Sequence, residues 1–124
     1  MSVVDTAVNP VGADVTARPA LTVTIFTKNR CSICDSTKRQ FDLKGVPYHA
    51  INVEEVTEPL AELNGMTPLD YVVTNFGRQM PVVVVEDDLG WRDWWSGGRM
   101  DKWMETIARF DEAGLLIPEH ERAA

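Results

Sequence analysis

The sequence predicts an α/β fold: a four-stranded mixed sheet flanked by helices, in the order β-α-β-α-β-β-α. Three observations point there. A strand-like run from Thr22 to Thr27 passes into a helix-like run and then a second extended segment, a βαβ unit that closes as a right-handed parallel crossover. The run Pro81-Val-Val-Val-Val85 is apolar on both faces, as in the middle of a covered sheet. Glu86-Asp87-Asp88-Leu89-Gly90 then reads as a turn into an antiparallel strand, Trp91 to Trp95.

Residues 1–20 show neither a helical nor an alternating period, and Pro10, Gly12 and Pro19 punctuate them. They read as a flexible N-terminal extension. The first strand alternates β-branched and aromatic residues. Lys28-Asn29-Arg30 turns the chain, and Cys31 opens a helix that runs to Lys44, with Gly45 closing it. Val46-Pro47 restarts an extended segment, Tyr48 to Val53, with Ile51 and Val53 on one face and Tyr48 and Ala50 on the other. A short helical piece begins at Thr57-Glu58-Pro59 and stops at Asn64-Gly65. In the next helix Thr67 is the N-cap, Pro68 takes the first helical position, and Leu69, Val72, Val73 and Phe76 form the apolar stripe; Gly77 ends it. Ser96-Gly97-Gly98 breaks the last strand. A final helix runs from Arg99 to Phe110, with Met100, Trp103, Met104 and Ile107 as its expected buried stripe. Residues 113–124, with Gly114 and Pro118, read as a tail, which leaves 21–112 as the domain. This order of elements is the thioredoxin-like arrangement.

The chain has 124 residues, with 12 Lys and Arg against 19 Asp and Glu, a formal charge of −7. On average that surface repels a phosphate backbone and an anionic membrane, and no Lys/Arg run offers a local exception, so neither nucleic acid nor membrane is an expected partner. No apolar stretch approaches the ~20 residues that span a bilayer. The first residues lack the basic and then apolar layout of a secretory signal, so a cytoplasmic location is expected. The two cysteines, Cys31 and Cys34, are therefore expected in a reducing compartment, where such a pair is seldom a structural staple.

Their position gives them chemistry. A thiol at a helix N-terminus faces free backbone N–H groups and the positive end of the helix dipole, and both favour thiolate. Lys28 and Arg30 add positive charge just upstream. Cys31 is thus the expected exposed nucleophile. Cys34, one turn further in on the side of Lys38 and Phe41, is the expected resolving thiol, placed to attack a mixed disulfide on Cys31. The other use of such a pair is half a zinc site. It would need two more ligands, and the two histidines, His49 and His120, are not in a paired spacing, so no metal is expected. Gly97-Gly98 permits a close backbone approach, as a substrate groove needs, or is simply a strand–helix turn. Trp103 has the spacing of a core residue. Among Trp91, Trp94 and Trp95, alternation turns at least one outward.

These residues resemble the glutaredoxin branch of the thioredoxin superfamily, and most closely the NrdH-type redoxins. The resemblance spans Leu21 to Ala108 and rests on Thr27-Lys28, Cys31-x-x-Cys34, Thr37-Lys38, Met80-Pro81-Val82-Val83 and Trp95-Ser96-Gly97, with Arg99 following. It implies a cis Met80-Pro81 peptide beside the cysteines, with the Met80 backbone pairing with an extended substrate. Lys28, Met80, Pro81, Gly97 and Gly98 are then the expected substrate-binding residues. It also implies a redox carrier with protein-disulfide reductase activity and no cofactor, expected as a monomer, with thioredoxin reductase and a class Ib ribonucleotide reductase as partners. The alternatives are a glutathione-dependent glutaredoxin, and a non-catalytic redox-regulated or iron–sulfur binding module. The chain departs from the family at Ser32-Ile33 between the cysteines, at Asn29 for a usual proline, at Gly98 for an aromatic and at Met100 for a proline. The region between Val53 and Pro81 is also longer, and the N-terminal extension is extra.

Overall fold

A computed structural model describes residues 20–122; the predicted extension, Ala20 apart, lies outside the described residues. The elements run β1 (Leu21–Thr27), α1 (Ser32–Lys44), β2 (His49–Asn52), α2 (Pro68–Asn75), β3 (Val82–Asp87), β4 (Arg92–Ser96) and α3 (Met100–Glu112). The sheet order is β2-β1-β3-β4, with β2 parallel to β1 and the other two pairs antiparallel. This is the mixed four-stranded sheet that the sequence predicts.

Strand alternation sorts the apolar residues into two cores. Val23 and Ile25 of β1, Val83 and Val85 of β3, and Trp95 of β4 meet Phe41 of α1 and Phe110 of α3. On the opposite face Phe26, Ile51, Val82 and Val84 meet Val72 of α2, together with Leu63, Met80 and both cysteines. Val82 to Val85 are buried on both faces, as expected of a central strand.

Gly45 closes α1 at φ 80°, a conformation that favours glycine, and a Cβ there would lie 2.7 Å from the Ile117 carbonyl oxygen. The segment after α3 folds back onto this point. The Ile117 N–H donates to the Gly45 carbonyl at 2.8 Å, and the Arg122 guanidinium donates to the carbonyls of Ile117 at 2.8 Å and Leu43 at 3.3 Å. Carbonyls at a helix C-terminus otherwise lack partners.

Two stripes differ from expectation in phase. In α2 the buried residues are Pro68 and Val72, with Tyr71 and Phe76 packed alongside, while Leu69 is exposed and Val73 half-buried. In α3 the buried residues are Thr106 and Phe110, with Trp103 and Ile107 packed alongside; Met100 and Met104 are 69% and 57% exposed. The helical period is as read, but Phe110, the large side chain seated between the sheet and α1, sets which face turns inward. Boundaries also move slightly. β2 is shorter by a residue at each end, although the Val53 N–H still donates to the Thr27 carbonyl at 2.8 Å. β4 starts at Arg92 because Trp91 joins the turn, its N–H held by Asp87 Oδ1 at 2.8 Å. The short helical piece is a 3₁₀ turn over Ala61–Leu63. Among the tryptophans, Trp95 is buried and Trp94 faces outward against Phe76, ring centroids 4.9 Å apart.

Candidate functional site

Three loops meet at one end of the sheet: β1–α1 with the cysteines, α2–β3 with Met80-Pro81, and β4–α3 with the two glycines. Cys31 and Cys34 form a disulfide, their Cα atoms 5.2 Å apart. Cys31 is the N-cap of α1, with extended backbone, and its Sγ accepts the Cys34 N–H at 3.1 Å. A sulfur in that position is bonded by a free helix N–H and sits at the positive end of the dipole, the setting that stabilises a thiolate once the disulfide is reduced.

The expected exposure of Cys31 is corrected in degree. It is 9% exposed against 1% for Cys34, because both sulfurs belong to the apolar cluster under α2 that also holds Met80. Cys31 is still the more accessible of the two. Met80-Pro81 is cis, and Pro81 is buried, with its carbonyl accepting the Gly97 N–H at 2.9 Å. The backbone N–H and C=O of Met80 make no hydrogen bond among the described residues, so both remain available to an extended strand.

The glycine turn makes close approaches to side chains of this same chain. Gly97 has φ 76°, and a Cβ on it would lie 2.8 Å from Gln79 Nε2. A Cβ on Gly98 would lie 3.2 Å from Ile33 Cγ2. The turn therefore abuts Gln79, just before Met80, and Ile33 of α1, one of the two residues between the cysteines and an exposed apolar side chain. Sequence reading named the glycines, and Ile33 only as a departure from the family; it did not name Gln79, and the proximity of both to the turn is created by the fold.

A second feature holds the β1–α1 turn. Asn52 Nδ2 donates to Asn29 Oδ1 at 2.9 Å, the Glu54 N–H donates to Asn52 Oδ1 at 2.9 Å, and the Asn29 N–H donates to Glu54 Oε1 at 3.3 Å. This ring of bonds stands where the family's proline is missing, and it adjoins Arg30 at φ 55°, a left-handed conformation that a non-glycine residue adopts at some cost. Lys28 is exposed beside it, without an ion pair among the described residues. Behind the glycine turn, Arg99 donates twice to Asp101, at 2.8 and 3.0 Å. The guanidinium hydrogen bond, foremost among its causes, holds the Asp101 carboxyl down to about 2. His49 and His120 are exposed on separate elements, and no group of three or more His, Cys, Asp or Glu among the described residues is placed to hold a metal ion. No helix among them is long and apolar enough to cross a membrane.

A helix-capping cysteine pair that opens and closes one S–S bond moves two electrons, and the sheet that carries it has the thioredoxin fold; the class this defines is a thiol–disulfide oxidoreductase. Known proteins agree. The Glutaredoxin family model matches residues 23–89, and the chain belongs to the glutaredoxin family. It is 37% identical over 79 residues to the glutaredoxin-like protein NrdH of Escherichia coli, covering 64% of this chain and 80% of that protein. To the NrdH of Salmonella typhimurium it is 33% identical over 81 residues, 65% of this chain and 83% of that one. The solved structure of the Escherichia coli NrdH-redoxin matches with a TM-score of 0.51 at 31% identity, covering 68% of this chain and 92% of that one. Fasciola hepatica thioredoxin, at 21% identity and a TM-score of 0.50, covering 72% and 79%, shares the fold.

Proposed function

We propose that this protein is a cytoplasmic dithiol electron carrier of the NrdH kind, reduced by thioredoxin reductase and donating to a class Ib ribonucleotide reductase. In the forward half-reaction the Cys31 thiolate attacks one sulfur of a substrate disulfide. The substrate S–S bond breaks, its other sulfur leaves as thiolate, and Cys31 is held in a mixed disulfide. The Cys34 thiolate then attacks Cys31 Sγ, one helical turn away, and releases the second substrate sulfur. The substrate has gained two electrons and two protons, and the Cys31–Cys34 disulfide has formed. Met80 offers its backbone to the substrate segment, Pro81 shapes that loop, and Gly97 and Gly98 keep the adjoining turn low. Lys28 supplies positive charge to the Cys31 thiolate.

The observation that carries the choice of reductant is the Arg99–Asp101 pair. Glutathione is a small anionic tripeptide, and a dedicated site for it needs an acceptor for its amino group behind the glycine turn. Here the first residue behind that turn is a cation, and the nearest acid, Asp101, already accepts two hydrogen bonds from it. Because the Asp101 pKa is depressed, the carboxylate is charged and engaged above about 2, and the pair is lost only as pH falls through that value. The preference for reductant is therefore expected to be flat between about pH 5 and 8. One observation favours glutathione: Gly98 is exposed and lacks the family's aromatic side chain, which leaves the turn open.

An insulin-reduction assay separates the two readings. Turnover is expected with NADPH and thioredoxin reductase, and little with glutathione and its reductase. Efficient reduction of the Cys31–Cys34 disulfide by glutathione, with none by thioredoxin reductase, would make the protein a glutathione-dependent glutaredoxin.

A further inference from the structure

The sequence contains no basic run, yet the fold collects cations around the disulfide, and we propose that this rim selects disulfides carried in acidic, extended peptide segments. The inference rests on the exchange reaction proposed above and concerns what that reaction acts on.

Among the described residues, Lys38, Arg92, Arg99, Lys102 and Arg109 are in ion pairs, and Arg122 is bonded to carbonyls. Lys28, Arg30, Arg39, Lys44 and Arg78 are in none. Arg39 and Lys44 lie along α1 and at its far end. The other three stand at the site. Lys28 and Arg30 are three and one residues before Cys31, and Arg78 is two residues before Met80. All three are exposed. They lie on the β1–α1 and α2–β3 loops, which the β1–β3 pairing brings to the same end of the sheet as the disulfide and the free Met80 backbone.

The acids nearby cancel them only in part. Asp35 pairs with Lys38 at 3.8 Å and Asp101 with Arg99 at 2.8 Å, while the Glu54 carboxylate, which accepts the Asn29 N–H at 3.3 Å and is in no ion pair among the described residues, offsets one of the three cations. Glu55 and Glu58 follow β2, the outer strand, and so stand across β1 from the Met80 loop. Three of the five cations outside ion pairs or carbonyl bonds among the described residues thus stand where exchange occurs, on a chain of formal charge −7. An acidic substrate is repelled by the rest of the surface and attracted only in the productive orientation. Fields of this kind raise association rates by about 10- to 1,000-fold and fade as salt shortens the screening length. A segment laid along Met80 lies at the same end of the sheet as Lys28, Arg30 and Arg78.

The test is a single-turnover measurement with the full-length, pre-reduced protein and three synthetic peptides. Each carries one intramolecular Cys-x-x-Cys disulfide, flanked by Glu, Gln or Lys. At low salt the Glu peptide is expected to oxidise the protein about tenfold faster than the Gln peptide, with Lys slowest, and the spread should shrink to about twofold in high salt. Lys28→Glu with Arg78→Glu should invert the Glu and Lys rates relative to Gln within that variant; the ratio removes any change in Cys31 reactivity. Equal rates on all three peptides, or an acidic preference that survives the charge reversal, would overturn the proposal. Failure to reduce even the Gln peptide would overturn the exchange reaction and this proposal with it.

Discussion

The two faces of the sheet are covered unequally. On one, two helices of 13 residues each, α1 and α3, seat Phe41 and Phe110 over Val23, Ile25, Val83 and Val85. On the other, an eight-residue helix and a 3₁₀ turn cover Phe26, Ile51 and Val84 and leave a cleft of about 210 Å³ beside Thr24, His49 and Tyr71. Both cysteines and Met80 belong to the thinly covered face. The densely packed face fixes the sheet and the axis of α1. The other face leaves the end of that helix within reach of a second molecule. Stability and chemistry are thus drawn largely from opposite sides of one sheet, and substitutions can separate them.

The largest expected effect is on chemistry with the fold intact. Cys31→Ser should abolish disulfide reduction, whereas Cys34→Ser should still attack but remain trapped as a mixed disulfide, visible by mass spectrometry. Normal turnover of dithiol substrates by Cys34→Ser would exclude internal resolution. Next is Phe110→Ala on the densely packed face, expected to cost about 3–5 kcal/mol in urea unfolding because a buried ring is lost and a cavity left. Val72→Ala, under the thinner cover, removes two methyl groups and should cost only about 2 kcal/mol. If Val72→Ala proved as costly as Phe110→Ala, the asymmetry between the faces would be wrong.

The order of elements along the chain and the place of the cysteine pair were legible because their signals are local. Thr22 to Thr27 alternates, Val82 to Val85 is continuous, and Cys31 stands at a strand–helix junction. The phase of α2 and α3 was legible only in part: Val72, Phe76, Trp103 and Ile107 pack inward as read, whereas Leu69, Met100 and Met104 do not. Periodicity gives the spacing of a buried stripe, but any of several apolar sets on one helix can satisfy it. In α3 Met100 and Met104 stay exposed, while Thr106 and Phe110 are buried beside Trp103 and Ile107. The Asn29–Asn52–Glu54 ring was also hidden, since its members are 23 and 25 residues apart and are polar loop residues of no special spacing. Its one sequence signal is Asn29 in place of the family's proline. The basic rim was legible only in part: Lys28 and Arg30 stand beside Cys31 in the sequence, but Arg78 comes from a second loop that only the β1–β3 pairing brings to the same end of the sheet.

A smaller effect tests how the thin face is tied to the glycine turn. Gly97→Ala places a Cβ at φ 76° and 2.8 Å from Gln79 Nε2, a flexible side chain that can swing away. The backbone strain then dominates, at about 1–2 kcal/mol. Because Gly97 also donates to the Pro81 carbonyl, reduction of a peptide disulfide should slow as well, mainly through a higher KM. The double variant with Gln79→Ala should recover little stability. A full recovery would mean that contact with Gln79, rather than φ, was the obstacle.

The smallest expected effect checks the corrected phase of α3. Met104 is apolar and has helical spacing to Met100 and Ile107, so the sequence places it in the core. In the structure it faces outward, so Met104→Ala should change stability by less than about 0.5 kcal/mol, as for most surface positions. Ile107, one turn on, packs against the core that contains Phe110, and truncating it to alanine should cost about 2 kcal/mol or more. The pair is informative because the two residues differ little in size and share one helix, which cancels most of the propensity difference. Urea midpoints that moved equally for both would return Met104 to the core, as periodicity alone suggests.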